Sequence, residues 1–239
     1  MRVVISLGGS VLAPELDPDR VAAYAEVIES LAEEGCELGV VVGGGGVARD
    51  YITAARELGA NEVQLDQLGI DVTRINARLL ISALGPETQP VPSLDYDAAG
   101  EAIRRGDVSV MGGITPGQTT DAVAAIFAEH VDADLLVYAT SADGVYDADP
   151  KADPDAVKFT TMSPADLVDI VVPMSRNAGS SAPVDILAAK LIERSSMRSL
   201  VLDGTDPSKV KDAVLRGEHT GTDIIPEGSS EPNYWAQKA

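Results

Sequence analysis

Three apolar segments run directly into glycines: residues 3–7 into Gly8-Gly9-Ser10, residues 40–42 into Gly43-Gly44-Gly45-Gly46, and residues 108–111 into Gly112-Gly113. The second opens at once into a helical pattern from Val47. Glycine lets the main chain approach a ligand closely and take φ > 0, and the N–H groups at a helix start face an anion. One such turn is weak as a signal. Three of them, each behind an apolar strand, predict a site that holds several phosphates at once.

Other chemistries lack their residues. No G-x-x-x-x-G-K-[ST] run is present, which excludes a P-loop enzyme. The first turn carries no dinucleotide fingerprint, and no G-x-S-x-G elbow offers a serine nucleophile. His130 and His219 are the only histidines and lie far apart, with no cysteine cluster to complete a metal site. The single cysteine, Cys36, rules out an internal disulfide framework and has no partners for thiol catalysis; it falls in a turn between a helix and a strand. What remains is phosphate binding at strand ends, with carboxylates available for Mg²⁺.

The 239 residues suffice for one large α/β domain, and the hydrophobic share of 45% supports a buried core. No apolar stretch reaches the length of a membrane span, and the first residues read as a strand and not as a signal peptide; the expected location is the cytoplasm. A net charge of −20 argues against nucleic acid and anionic membranes as partners. It also opposes phosphate binding, unless the scarce cations are concentrated at the site. Acidic, lysine-poor, aromatic-poor composition is that of proteins kept in molar salt, where the Debye length falls to about 3 Å and surface self-repulsion is screened.

The elements that must position the turns alternate. Strands are expected at residues 3–7, 37–42, near 89–91, 108–111, 134–139, 157–161, 200–202 and 222–225. Helices are expected at 19–34, 47–58, 63–84, 96–105, 120–130, 163–170, 184–195 and 207–215. This alternation predicts an α/β fold, a mainly parallel sheet covered on both faces. Residues 141–155 read as a structured Asp/Gly/Pro loop and 177–181 as a flexible connection. Residues 228–239 read as a disordered tail in which Trp235 is an exposed end. No linker splits the chain, so residues 1–227 are expected to form a single domain of two lobes, about 1–135 and 136–227, on one continuous sheet.

Taken together and in order, Leu7-Gly8-Gly9-Ser10, Val42-Gly43-Gly44-Gly45, Met111-Gly112-Gly113, Thr119-Thr120-Asp121 and Asp143-Gly144-Val145-Tyr146 with Asp149-Pro150 resemble the amino acid kinase family. The run from Gly112 to Ala125, and Ala178-Gly179-Ser180-Ser181 followed by Asp185 and Lys190, are similar to its archaeal uridylate kinase branch. The resemblance covers residues 1 to about 227. It implies an α/β/α sandwich that transfers the γ-phosphoryl group of ATP to UMP with Mg²⁺, in pyrimidine nucleotide synthesis, as a homohexamer built from dimers. The long helix over 63–84 is a plausible dimer face.

The resemblance also implies roles. Gly8, Gly9 and Ser10 would form the first turn against the ATP phosphates, and Gly44 and Gly45 would lie where donor and acceptor phosphates meet. Arg49, one turn into the next helix, could point back to those anions or could be a solvated helix residue. Asp66 would clamp the ribose hydroxyls of UMP. Ile114, Thr115, Pro116, Gly117, Gln118, Thr119 and Thr120 would form the acceptor loop, with Thr120 also able to cap the helix after it. Thr140, Tyr146 and Asp149 would belong to the ATP site, with Tyr146 against the base. Asp121 and Asp185 are candidates for orienting phosphate-binding groups or Mg²⁺. Many family members carry a lysine in the first strand where this chain has Ser6; Arg49 and Mg²⁺, then Lys190, are the candidates to neutralise the transferring group. A sister kinase acting on an isoprenoid phosphate, carbamate or carboxylate, and a non-catalytic nucleotide- or oxyanion-binding protein, are the alternative readings.

Overall fold

The computed structural model describes residues 1–150, 152–174 and 184–229. Lys151, the 177–181 connection, and the tail from residue 230 with Trp235 lie outside the described residues. The described strands are β1 (Arg2–Leu7), β2 (Glu37–Val42), β3 (Ser109–Met111), β4 (Leu135–Thr140), β5 (Thr161–Met162), β6 (Ser199–Asp203) and β7 (Thr222–Ile224). They form one sheet in the order β3-β2-β1-β4-β6-β7-β5. Pairing is parallel throughout except for β6 with β7.

Alternation along the strands divides the core into two layers. Val3, Ile5 and Leu7 of β1 face one side, with α2 (Pro18–Glu33) and α9 (Pro207–Arg216) packed over them. Val4 faces the other side, under α6 (Thr120–His130), α7 (Pro164–Met174) and α8 (Ile186–Ser195). The central strands are nearly continuous apolar runs because both faces are covered. Gly39 in β2 leaves room for the Phe127 ring of α6, since a Cβ there would lie 2.4 Å from Phe127 Cε1.

The sheet order sets the site. After β1 the chain adds β2 and β3 on one side, then crosses back to place β4 and β6 on the other. The ends of neighbouring parallel strands on either side of β1 therefore open into a crevice, where α/β sheets bind ligands. Leu7 is in register with Val42 on one side and Ala139 on the other, so the segments that follow all three strands emerge together.

The remaining helices mostly follow local signals. Asp17 caps α2, and Asn61 with Gln64 forms a capping box at the start of α4 (Glu62–Ala83). Asp95 caps α5 (Tyr96–Arg105), which ends at Gly106 in the left-handed region. Three expectations change. Residues 89–91 are not a strand: Pro90 and Pro92 have no N–H for a ladder, and the buried Gln89 side chain donates instead to the Val91 and Val110 carbonyls at 2.7 and 2.8 Å. The strand expected at 157–161 shrinks to Thr161–Met162, because the main chain around Phe159 pairs with the loop at Val145. The helix expected to end near residue 170 continues to Met174, carried by the buried stripe Leu167, Val168, Val171 and Met174. A short α1 (Gly9–Leu12), directly after the first turn, was not foreseen.

Gly39→Ala should destabilise the protein by about 1–3 kcal/mol through overpacking against Phe127. Chemical denaturation checks this, and Phe127→Leu in the same chain should recover part of the loss. An unchanged midpoint for Gly39→Ala would contradict the packing described.

Candidate active site

A cavity of about 560 Å³ opens at the crevice. Its lining joins segments far apart in sequence: Gly8, Gly9 and Ser10 after β1, Gly43, Gly44 and Gly45 after β2, Thr120 and Asp121 at the start of α6, Thr140 at the end of β4, and Asp203 at the end of β6. Arg49, Tyr146 and Asp149 complete the part foreseen from sequence.

The first two turns meet main chain to main chain. A Cβ on Gly9 would lie 2.3 Å from Gly45 N and 2.4 Å from the Gly43 carbonyl oxygen. Gly45 has φ +64° and begins α3 (Gly45–Glu57). Only glycine meets both demands. Among the described residues, the N–H groups of Gly9, Ser10, Gly44 and Gly45 have no backbone acceptor. The turns thus present free donors to the cavity beside two helix starts, the arrangement that binds phosphate.

Side-chain charge runs the other way. Asp121, Asp143, Asp149 and Asp203 line the cavity, and Arg49 is the one cationic side chain among its described lining residues. Arg49 is exposed and has no hydrogen-bond or ion-pair partner among the described residues. Lys158 pairs with Asp143 at 2.9 Å, and Lys190, outside the cavity lining, pairs with Glu193 at 2.9 Å. Lys158 holds the Asp143 carboxyl below its usual range, with the Tyr146 hydroxyl, which donates to Asp143 at 2.8 Å, adding to the effect.

Asp121 is the most perturbed of these acids. Burial, and then the neighbouring Asp185 carboxylate, raise its pKa to about 7, against a hydrogen bond from Ser6 Oγ at 3.0 Å. Ser6 stands in the first strand where the family lysine would be, and it turns towards Asp121 instead of the cavity centre. Asp185 is a helix cap. One carboxylate oxygen accepts from the N–H groups of Leu187 and Ala188, and the other accepts the Thr119 hydroxyl. Thr119, and not Thr120, caps α6, accepting from Ala122 N–H at 3.2 Å.

A second group of foreseen residues lies beside this cavity and outside its lining. Asp66 of α4 accepts from Gly117 N–H at 2.8 Å, and so ties down the segment carrying Ile114, Thr115, Pro116, Gln118 and Thr119. Gly117 has φ +84°. Gly44 and Thr120 line the cavity from the side of this group. Sequence reading missed Asp203 of the cavity, and also Thr73 and Asn76 of α4, which are buried against the glycine turns. The available signal for the latter two was a pair of polar residues within the stripe Leu65, Ile70, Ala77 and Leu80, which is otherwise apolar.

The model of the amino acid kinase family matches residues 1–203, and the chain belongs to that family. It is 74% identical over 235 residues to the uridylate kinase of Halorubrum lacusprofundi, covering 98% of each chain. It is 66% identical to that of Haloquadratum walsbyi, again over 98% of each. The crystal structure of uridylate kinase from Archaeoglobus fulgidus superimposes with a TM-score of 0.85 at 47% identity, over 94% of this chain and all of that one. The UMP kinase of Bacillus anthracis gives a TM-score of 0.78 at 25% identity, over 96% of this chain and 97% of that one.

A carboxyl whose pKa rises on folding, here from 3.8 to about 7, binds more protons folded than unfolded between those values. Its contribution to stability therefore falls as pH rises from about 4 to about 7 and stays lost above. Asp121→Asn should be more stable than the parent protein at pH 8 and lose that advantage below pH 4. Urea denaturation with a chelator at both pH values reads the difference.

Proposed function

We propose that this protein is a UMP kinase, which transfers the γ-phosphoryl group of ATP to the phosphate of UMP to give UDP and ADP. The observation that carries this reading is the meeting of the first two glycine turns between two clusters of side chains. On one side are Thr140, Tyr146 and Asp149, suited to the donor nucleotide; on the other are Asp66 and the loop 114–120, suited to the acceptor. Near-full-length similarity to uridylate kinases supports the choice of acceptor.

In this reading ATP lies across Gly8, Gly9 and Ser10 with its base towards Tyr146. Its γ-phosphate rests at Gly44 and Gly45. UMP places its ribose hydroxyls on Asp66 and its base and phosphate along Ile114, Thr115, Pro116, Gly117, Gln118, Thr119 and Thr120. A phosphate oxygen of UMP forms the new bond to the γ-phosphorus as the bond to the bridging oxygen of ADP breaks. The attacking oxygen is already anionic near neutral pH, so no side chain needs to remove a proton. Catalysis then consists of alignment and of donors aimed at charge on the transferring group. Free N–H groups at the two turns and the unpaired Arg49 supply those donors.

Mg²⁺ fits this lining. Acids outnumber the single described cation, yet among the described residues no three metal-ligating side chains converge to hold an ion by themselves. Such a site suits an ion carried in by the nucleotide, with Asp121 in the lining beside phosphate oxygens and water. When bound, it neutralises charge on the β- and γ-phosphates.

The finer assignments belong to the same proposal. Residues 1–227 act as one domain, with an acceptor lobe of about 1–135 and an ATP lobe of about 136–227; a single sheet across both supports this. The setting is pyrimidine nucleotide synthesis in the cytoplasm. No helix among the described residues is long and apolar enough to cross a membrane. The assembly is a homohexamer built from dimers, and the exposed Tyr51 of α3, Leu58 at its end, and Val63 and Ile75 of α4 offer apolar surface for the dimer contact.

The test is diphosphate formation from ATP with UMP, CMP, AMP, GMP and isopentenyl phosphate side by side, in Mg²⁺ and molar KCl. Selective UDP formation is expected; another product would reassign the acceptor, and no product would leave a binding protein. Arg49→Ala should lower kcat/KM by about 10² or more, as for loss of one strong transition-state contact. Asp66→Ala should raise the KM for UMP while leaving that for ATP within about twofold, read by varying each substrate in turn.

A further inference from the structure

The long helix α4 touches both the turn where the phosphates would meet and the segment that would hold the acceptor. Asn76, only 3% exposed, donates its side-chain amide to the Gly43 and Gly44 carbonyls at 2.9 and 3.3 Å. In a trans peptide the carbonyl and the following N–H point in opposite directions. No peptide bond here is cis. Drawing these two carbonyls towards α4 therefore turns the N–H groups of Gly44 and Gly45 away from it. Gly44 and Gly45 both line the cavity.

One turn earlier on the same helix face, Thr73 is also buried. Its hydroxyl donates to the Ile70 carbonyl at 2.6 Å, and the same oxygen accepts from Gly113 N–H at 2.7 Å. Next to it, Arg74 Nε donates to the Gly113 carbonyl at 3.1 Å. Both main-chain polar groups of Gly113, its N–H and its carbonyl, are thus held by consecutive residues of α4. Contact is close at the neighbouring position too: a Cβ on Gly112 would lie 2.5 Å from Thr73 Oγ1. The loop then leaves Gly113 and returns to α4 at Asp66, seven residues before Thr73, or about 10 Å along the axis.

We propose that Thr73 and Asn76 are positioning residues that set the acceptor loop at a fixed offset from the phosphate-meeting turn, with α4 as the rigid ruler between them. This rests on the kinase reading above and names the residues that give its acceptor half its geometry. Neither side chain need touch substrate. Asn76 fixes the direction of the N–H donors, and Thr73 fixes where the acceptor loop begins. A buried polar side chain on a packed helix serves this better than a loop residue would, because its rotamer is locked by its surroundings.

The experiment compares Thr73→Val, which keeps the shape and loses the acceptor oxygen, with Thr73→Ser, which keeps that oxygen. Each is checked for folding by circular dichroism. Thr73→Val should raise the KM for UMP about tenfold and leave the KM for ATP within about twofold, with Thr73→Ser near the parent values. Asn76→Asp, which sets a carboxylate oxygen against two carbonyls, should lower kcat at least tenfold. Amide exchange at Gly113, measured without substrate, should be faster in Thr73→Val than in Thr73→Ser. Equal kinetics for the valine and serine variants, or equal loss for both nucleotides, overturns the proposal; if Thr73→Val does not fold, Thr73→Ala against Thr73→Ser gives the same contrast. No UDP from the parent protein would instead sink the kinase reading, and the exchange rates would still decide whether Thr73 holds Gly113.

Discussion

The contact of Gly9 with Gly43 and Gly45 is the constraint on which the site depends. Two strand ends can approach this closely only if neither carries a side chain at the contact. Among the described residues, the approach leaves the N–H groups of Gly9, Gly44 and Gly45 without a backbone acceptor. An unpaired buried N–H is costly, and the cost is recovered only when water or an anion takes the bond. The same feature therefore suits the turns to an anion such as phosphate. Everything around it, from the parallel register of β1 with β2 and β4 to the burial of α4, keeps those two backbones in place.

Electrostatics gives the site its second character. The chain carries −20, and its cavity is lined mainly by acids, so the affinity of the turns for phosphate cannot come from a basic field. In the proposed reading local dipoles would act at short range, where salt screens least, and a divalent cation arriving with the nucleotide would offset the acids. Arg49 is left as an exposed charge, without a partner among the described residues, in the lining of the cavity. Lys158 and Lys190 each pair with a carboxylate, Asp143 and Glu193. At high ionic strength the surface acids repel little, while desolvation and the neighbouring Asp185 still hold the half-buried Asp121 above the usual carboxylate range.

Much of this was legible in the chain. The apolar runs of β1, β2 and β4 and the glycine turns behind the first two are local signals, and the elements fall close to where those signals put them. The failures were local as well. A proline on either side of Val91 forbids a ladder that apolar character alone suggested. A helix runs past residue 170 because its buried stripe continues, although Pro173 lies inside it.

By itself the sequence determined the succession of strand, glycine turn and helix, because each depends on residues within a few positions of one another. It also determined the acidic surface, which is a matter of composition. Only the tertiary structure decided which turns meet, since that follows from the sheet order and from the pairing of β1 with β2 and β4, strands that are distant from it in the chain. That is why Asp203 joins the cavity from β6 and why Ser6 turns to Asp121. It is also why Thr73 and Asn76, which look like misplaced polar residues on a helix, turn out to face the two glycine turns. A side chain's partner across a core is not written in its neighbours along the chain, so these residues gained meaning only when the backbone they hold was in view.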